Sequence, residues 1–187
     1  MNANCEDLIR DFPIWLPAVK FRQLYRLLAN AESVPGDMAE VGVYRGGTSA
    51  AMAYACQGKR IHCFDTFTGL PETEFDEPHN SGDFSDTSVE AVRSAFKSPN
   101  FELRVGHFPE TFAGLEDKKF SFVHIDGDYY ETTRDAIALF WPRMSIGGVM
   151  LFDDYKWQAC PGVERAIAEA GLTVQSNRFD QAWVVKK

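Results

Sequence analysis

The feature that most constrains the fold of this chain is a regular alternation of short apolar segments with helical segments. Apolar segments typical of buried strands are predicted at 37–43, 60–65, 101–105, 120–126 and 149–152. Helices are predicted at 18–31, 47–57, 86–96, 131–144 and 160–170, and a terminal hairpin at 172–178 and 182–185. Strands that alternate with helices build a mostly parallel sheet covered on both faces, so we predict a doubly wound α/β fold.

The length of the chain favours a single domain. A chain of 187 residues buries roughly 70% of the surface of its unfolded form, which is enough for one core but short for two. We therefore predict one domain over 1–187, in which residues 1–36 form an N-terminal cover helix region and residues 37–187 form the core.

The charge balance excludes some classes of partner. The sequence has 27 acidic and 19 basic residues, a net charge of −8, and no run of Lys and Arg. Because binding to a phosphate backbone needs clustered cations, nucleic acid and anionic membranes are not expected as partners. There is no basic leader and no apolar window near the roughly 20 residues of a spanning helix, so we predict a cytoplasmic protein.

The cysteines and histidines show no metal-binding pattern in the sequence. Cys5, Cys56, Cys63 and Cys160 are scattered, without a CxxC pair or a histidine at a zinc-like offset, so buried thiols are predicted. His62 and His124 lie within predicted strands, where a packed and hydrogen-bonded ring is expected. His79 lies in a loop and has no predicted role.

Two motifs follow the first two predicted strands. Residues 40–49, EVGVYRGGTS, form a glycine-rich turn into a helix, whose amides, with Thr48 or Ser49, could hold an anion. The motif is neither GxGxxG nor GxxxxGK[ST], which argues against nicotinamide and nucleoside triphosphate sites. Asp65 lies 23 residues after Gly42, close to the offset at which an acid meets ribose hydroxyls in mononucleotide-binding folds.

Four acidic residues follow the fourth and fifth strands. They are Asp126, Asp128, Asp153 and Asp154. Because carboxylates that lie close together need a cation to stay ionised, this edge of the sheet is a candidate site for a hard divalent ion such as Mg²⁺. The alternative is that these residues cap the helices that follow, and for Asp128 we favour that alternative.

The motifs together resemble the macrocin-type O-methyltransferases, metal-dependent enzymes that methylate sugar hydroxyls of natural products. The matching stretches are EVGVYRGGTS (40–49), FDTFTGLPE (64–72), HIDGDYYETT (124–133) and GGVMLFDDY (147–155). The glycine-rich turn also has a more distant likeness to catechol O-methyltransferase. The resemblance implies a class I methyltransferase fold, with a sheet that is Rossmann-like, mostly parallel and ends in an antiparallel C-terminal strand.

The resemblance also implies roles for individual residues. Glu40, Gly42 and Thr48 would surround the amino-acid end of S-adenosylmethionine, and Asp65 would take its ribose. His107 or Phe108 would lie near the adenine, Ser85 would touch the cofactor, and Tyr44 would lie near the transferred methyl. Asp126, Asp153 and Asp154 would ligate Mg²⁺.

The acceptor chemistry implied by the resemblance is metal-assisted. A metal lowers the pKa of a bound hydroxyl, and a nearby carboxylate can take its proton. Asp126 would be that base, and Asp128 is the alternative. The acceptor would be a small molecule with a hydroxyl, such as a sugar, another diol or a catechol-like phenol.

Other functions fit less well. A short-chain dehydrogenase needs a Tyr-x-x-x-Lys pair, and no tyrosine is followed by lysine at that spacing. A phosphatase or response-regulator pocket would need an aspartyl centre at the end of the first strand. A cofactor-binding module without turnover stays open.

Two further expectations concern segments outside the motifs. The segment 66–86 is expected to act as a partial lid that closes when cofactor binds. An N-terminal segment with Phe12, Ile14, Trp15 and Leu16 could pack on a second chain, which would make a homodimer.

Overall fold

The structure is a computed structural model that describes residues 3–73, 75, 78–96 and 100–187. Within these ranges the helices are α1 (Cys5–Asp11), α2 (Ala18–Ala31), α3 (Gly47–Ala55), α4 (Val89–Ala95), α5 (Tyr130–Phe140) and α6 (Pro161–Glu169). The strands are β1 (Asp37–Val41), β2 (Ile61–Asp65), β3 (Phe101–Val105), β4 (Phe120–Ile125), β5 (Met144–Phe152), β6 (Gln175–Ser176) and β7 (Ala182–Val185). Short 3₁₀ turns occupy Glu110–Phe112 and Trp141–Arg143.

The strands form one sheet in the order β3-β2-β1-β4-β5-β7-β6. The pairs among β1 to β5 are parallel, and β7 runs antiparallel to both β5 and β6. The direction of strand order reverses between β1 and β4, and in an open α/β sheet such a reversal opens a crevice at the carboxyl ends of the strands. The doubly wound fold with an antiparallel C-terminal strand is confirmed.

The apolar core lies on both faces of the sheet. On one face, α2 and α3 pack against the strands through side chains such as Leu24, Leu28 and Met52. On the other face, α5 and α6 pack through side chains such as Phe140 and Val163. Burial of both faces accounts for the nearly continuous apolar runs in the central strands.

Helix α2 illustrates how the sequence pattern places an element. Its buried side chains recur at three- and four-residue steps, namely Phe21, Leu24, Leu27, Leu28 and Ala31. This stripe covers the sheet and leaves the opposite side of the helix to solvent. No helix in the described ranges is long and apolar enough to cross a bilayer.

The structure differs from the predicted elements at several ends. Helix α5 stops at Phe140, since Pro142 cannot continue the helix, and the residues before Val149 extend strand β5 back to Met144 instead of forming a separate turn. Helix α4 starts only at Val89, where the Ser88 hydroxyl accepts a hydrogen bond from the amide of Ala91. Helix α1 was not predicted, and β6 has only two residues.

The N-terminal segment packs mainly on its own chain. Phe12 contacts the rings of Tyr54 and Phe96, and Ile14 and Leu16 are partly buried against the core. Trp15 is 66% exposed. The homodimer stays a prediction, but these contacts leave only Trp15 of the four residues as an exposed aromatic surface.

Candidate active site

A cleft of about 510 Å³ lies at the carboxyl ends of the central strands. Gly42 follows β1, Asp65 ends β2, and Asp126 and Asp153 follow β4 and β5, and all four line the cleft. This size is typical of pockets for small molecules and cofactors. The sheet topology therefore brings together the four strand ends that the sequence motifs mark.

Gly42 is required where β1 and β4 end side by side. It has a φ of +90°, and a Cβ at this position would lie 1.8 Å from the carbonyl oxygen of Asp126. A side chain there would meet backbone, which cannot move aside without separating the two strand ends. The glycine keeps this part of the cleft floor narrow.

Asp65 ties the glycine-rich turn to the end of β2. Its Oδ2 accepts hydrogen bonds from the amides of Val43 at 2.8 Å and Tyr44 at 2.7 Å, and its Oδ1 accepts one from the amide of Phe67 at 2.7 Å. A carboxylate has about four lone-pair directions, so one remains for a further donor. Asp65 thus has a structural role that the sequence did not predict.

Glu40 lies in a buried polar network below the turn. Its side chain is 1% exposed, Ser49 donates a hydrogen bond to its Oε2, and Nδ1 of His124 lies 2.8 Å from its Oε1. Three elements, β1, α3 and β4, are joined by these contacts. His124 and His62 are packed and hydrogen-bonded, as predicted, and His62 contacts Asp37 at 2.9 Å.

The N-terminus of α3 faces the cleft. Its N-cap is Gly46, which has a φ of +78° and no side chain to cap the helix, and Gly47 and Thr48 also line the cleft. The first amides of such a helix, together with its dipole, favour an anionic group. The predicted anion site is therefore on the wall of the cleft.

The acidic residues after β4 and β5 meet on the opposite side of the cleft, around a lysine. Nζ of Lys20, from α2, lies 2.9 Å from Oδ1 of Asp153 and 2.8 Å from Oδ1 of Asp154. The contact with Asp154 is a hydrogen bond. Oδ1 of Asp153 is buried without a hydrogen-bond partner among the described residues, so its contact with Lys20 is an ion pair.

A third carboxylate completes this group. Potential ligand atoms of His124, Asp126 and Asp153 all lie within 4.8 Å of one another. The structure thus brings together the three carboxylates that the sequence nominated as metal ligands, and adds two residues that it did not, Lys20 and His124.

Crowding of these carboxylates shifts their protonation. Burial, and then the charge of Asp153, raise the pKa of Asp126 well above its usual value. Burial and Asp154 raise the pKa of Asp153 to about 6. Although burial alone would lower it, the charges of Asp153 and Asp154 raise the pKa of Lys20. The site therefore carries more negative charge than one lysine balances.

Asp128 does not cap helix α5, so that prediction is wrong. The N-cap is Tyr129, no side chain caps the helix, and Asp128 has a φ of +58°. Its Oδ1 instead accepts a hydrogen bond from the thiol of Cys160 at 3.4 Å. Burial, followed by the charge of Asp154, raises the pKa of Asp128 to about 7.

The other predicted cofactor residues are placed unequally. Tyr44, His107 and Phe108 line the cleft, and the ring of Phe108 packs edge-on against Phe64. The Tyr44 hydroxyl donates a hydrogen bond to Asp86 at 2.6 Å. Ser85 is exposed and is not among the residues that line the cleft, where its neighbour Phe84 contributes instead.

Two segments build walls of the cleft that the motifs do not include. Trp15 and its neighbours in the N-terminal segment lie on one side, and the ring of Trp15 packs edge-on against Tyr44 at 5.7 Å. Leu70 and Phe84 line the cleft from the segment 66–86, and Trp157 does so after β5. The lid prediction falls partly on residues 74, 76 and 77, which lie outside the described ranges, and closure on cofactor binding stays a prediction.

The strand order, the reversed β7 and the cleft at the ends of β1, β2, β4 and β5 define a class I methyltransferase fold. The sequence model of the family described as "Macrocin-O-methyltransferase (TylF)" matches residues 20–184. The chain belongs to this family.

Named relatives agree with this assignment. The chain is 32% identical over 148 residues to an 8-demethyl-8-(2,3-dimethoxy-alpha-L-rhamnosyl)-tetracenomycin-C 4'-O-methyltransferase from Streptomyces olivaceus, over 70% of this chain and 57% of that protein. It is 29% identical over 157 residues to a demethyldecarbamoylnovobiocin O-methyltransferase from Streptomyces niveus, over 73% of this chain and 58% of that protein. The chain thus spans less than two thirds of either relative.

A solved structure shares the fold. The O-methyltransferase NovP superposes with a TM-score of 0.74 at 22% identity, covering 91% of this chain and 81% of NovP.

Proposed function

We propose that this chain is an S-adenosylmethionine-dependent O-methyltransferase that acts on a hydroxyl group of a small molecule, a sugar or another diol of a natural product. The observation that carries the proposal is that one cleft holds Glu40 and Asp65 on one side and Asp126, Asp153 and Asp154 on the other. Family membership supports the reaction class, and the relatives named above are sugar and natural-product O-methyltransferases by their names.

The first side of the cleft fits S-adenosylmethionine. The α3 amides and Thr48 suit its carboxylate, and the carboxylate of Glu40 suits its ammonium group. Asp65 has one lone-pair direction left for a ribose hydroxyl. When bound, S-adenosylmethionine supplies an electrophilic methyl group.

The second side fits a divalent cation by charge and by donor type. Three carboxylates and the Lys20 ammonium sum to a charge of two negative when all are ionised, which one divalent ion balances. Oδ1 of Asp153 is a buried oxygen without a hydrogen-bond partner in the described chain, as an open ligand position would leave it. Oxygen donors favour Mg²⁺. When bound, Mg²⁺ lowers the pKa of a coordinated hydroxyl and fixes its position.

The chain's own residues would position the acceptor and take its proton. Asp126 lies between the two sides of the cleft, since its carbonyl oxygen contacts the Gly42 position while its side chain belongs to the acidic group. It is our first choice for the base, with Asp128 as the second. Trp15, Trp157 and Phe84 would exclude water from the acceptor.

Calorimetry and a methyl-transfer screen test the proposal. We expect the purified chain to bind S-adenosylmethionine and to methylate at least one member of a panel of sugar nucleotides, glycosylated natural products and catechols in the presence of Mg²⁺, with loss of turnover in EDTA. Absence of cofactor binding would overturn the methyltransferase proposal. Binding without turnover on any acceptor would favour a cofactor-binding module, and turnover that persists in EDTA would refute the metal requirement.

The first prediction concerns the donor side. Replacing Asp65 with asparagine should weaken S-adenosylmethionine binding by roughly 10- to 100-fold, because the amide cannot accept all three backbone hydrogen bonds and the ribose contact. The measurement is titration calorimetry. Asp86→Asn is the control, since Asp86 also contacts Tyr44 but its side chain is 64% exposed. Equal affinities for the parent and Asp65→Asn would contradict the role of Asp65.

The second prediction concerns the lysine between the metal carboxylates. Lys20→Met should raise the affinity for Mg²⁺ or Mn²⁺ by about tenfold or more, because the ammonium occupies the same oxygens that the ion needs. Metal affinity is measured by Mn²⁺ electron paramagnetic resonance. Lys118→Met is the control, because Lys118 is half exposed and contacts only Asp37, at 3.8 Å. Weaker metal binding by Lys20→Met would mean that the lysine supports the site instead of competing for it.

A further inference from the structure

A second group of potential metal ligands lies beside the cleft and shares no residue with the Asp126, Asp153 and Asp154 carboxylates. It consists of His79, Asp128 and Cys160, and is called here the His79–Asp128–Cys160 cluster. One potential ligand atom from each residue lies within 4.8 Å of the other two. The residues come from three parts of the chain: the loop before α4, the connection from β4 to α5, and the N-cap of α6.

We propose that the His79–Asp128–Cys160 cluster binds a transition-metal ion of the Zn²⁺ type, which ties the loop that carries His79 to α5 and α6. The donors are a nitrogen, an oxygen and a sulfur, a set that suits Zn²⁺ and not Mg²⁺. A thiolate and a carboxylate together balance the charge of one divalent ion. Three protein ligands leave the fourth tetrahedral position for water or another small ligand.

The spacing of two donors already matches tetrahedral coordination. Sγ of Cys160 lies 3.4 Å from Oδ1 of Asp128. Bonds of roughly 2.3 Å to sulfur and 2.0 Å to oxygen at the tetrahedral angle place the two ligand atoms about 3.5 Å apart. An ion could therefore bind both atoms with little movement of either side chain.

The third donor is held in place by its surroundings. The Tyr129 hydroxyl donates a hydrogen bond to the carbonyl oxygen of His79 at 3.0 Å, and the His79 ring contacts Phe84 and Trp157 with centroids 5.6 and 5.8 Å apart. These contacts fix the backbone and the ring of His79 from two sides.

The two ring nitrogens of His79 differ in their partners. Nδ1 lies 3.5 Å from a carboxylate oxygen of Asp83, whereas Nε2 is buried and has no hydrogen-bond partner among the residues the structure describes. Metal-binding histidines commonly turn one nitrogen to a carboxylate and the other to the ion. The arrangement of His79 matches this pattern.

A metal in this cluster would change the assignment of the base. Asp128 would be occupied as a ligand, which leaves Asp126 to accept the proton in the proposed methyl transfer. The ion would also stabilise one wall of the cleft, since Asp128 and Trp157 line it. The sequence contains no zinc motif because the ligands lie 49 and 32 residues apart on separate elements.

Cobalt substitution tests the proposal, because a Co²⁺–thiolate bond gives a charge-transfer absorption that oxygen-only sites lack. The full chain, freed of metal, is titrated with Co²⁺ in excess Mg²⁺. We expect this absorption to saturate at one equivalent and to disappear when Zn²⁺ is added. Cys160→Ser should abolish it, and His79→Gln should weaken Co²⁺ binding at least about tenfold.

Two variants serve as controls. Cys5→Ser removes a thiol on α1 and should keep the absorption, and Asp153→Asn should keep it as well, which separates this cluster from the Mg²⁺ site. Because His79 lies in a loop, His79→Gln tests the cluster even if Cys160→Ser fails to fold. No thiolate absorption in the parent, or the same absorption and affinity in His79→Gln, would overturn the proposal whether or not the chain transfers methyl groups.

Discussion

Replacing Asp153 with asparagine should lower metal-dependent methyl transfer by about 10²- to 10⁴-fold and abolish tight Mg²⁺ binding, while cofactor affinity changes little. Asp153 is 3% exposed, and its Oδ1 is the buried oxygen without a hydrogen-bond partner among the described residues. The amide is neutral and a poorer ligand. The measurements are turnover on the best acceptor from the screen and calorimetry with Mg²⁺ and with S-adenosylmethionine.

Stability should move in the opposite direction. Burial and Asp154 raise the pKa of Asp153 to about 6, so its charge at pH 7 opposes folding, and a neutral side chain of the same shape removes that cost. The midpoint of thermal unfolding should therefore stay the same or rise. Asp117→Asn, on an exposed turn, is the control for both measurements. An Asp153→Asn variant that keeps the parent's turnover would refute the metal site, and one that unfolds would show a structural role instead.

Replacing Gly42 with alanine should destabilise the fold by about 3 kcal/mol or more. The φ of +90° strains any L side chain, and the new Cβ would meet the carbonyl oxygen of Asp126 at 1.8 Å. For a domain of this size the midpoint of thermal unfolding should fall by about 6 to 12 °C. Denaturant unfolding measures the loss directly, and an unchanged m-value would assign it to the folded state.

Gly58→Ala is the matched control. Gly58 lies in the turn before β2, and a Cβ there would meet nothing within 4 Å. Its stability should change by less than about 1 kcal/mol. If Gly42→Ala were as stable as Gly58→Ala, then β1 and β4 could separate without cost, and the narrow floor of the cleft would not depend on the glycine.

Periodicity predicted the elements of this fold well where packing follows local pattern. Helix α2 has the same bounds in the sequence prediction and in the structure, because its apolar stripe alone decides which side faces the sheet. The ends of β5 and α5 were wrong, because they depend on Pro142 and on pairing of Met144 with Phe120, which no local pattern contains.

The site was predictable in so far as strand ends meet at one edge of a parallel sheet. That rule brought Gly42, Asp65, Asp126 and Asp153 together correctly. It could not reveal Lys20, which lies 134 residues from Asp154 on a helix that appears in the sequence only as cover. Asp128 was misassigned to a helix cap because its positive φ turns it toward Cys160, and backbone angles of this kind cannot be read from spacing.

The contact between Glu40 and His124 has a thermodynamic consequence. The imidazole of His124 touches Glu40, beside the proposed donor, and has a potential ligand atom within 4.8 Å of Asp126 and Asp153, beside the proposed metal. A change of charge on either side therefore acts on the same buried ring. Whatever free energy the occupation of one side adds to or removes from the other must be returned in equal measure, so loading of the two halves is reciprocal.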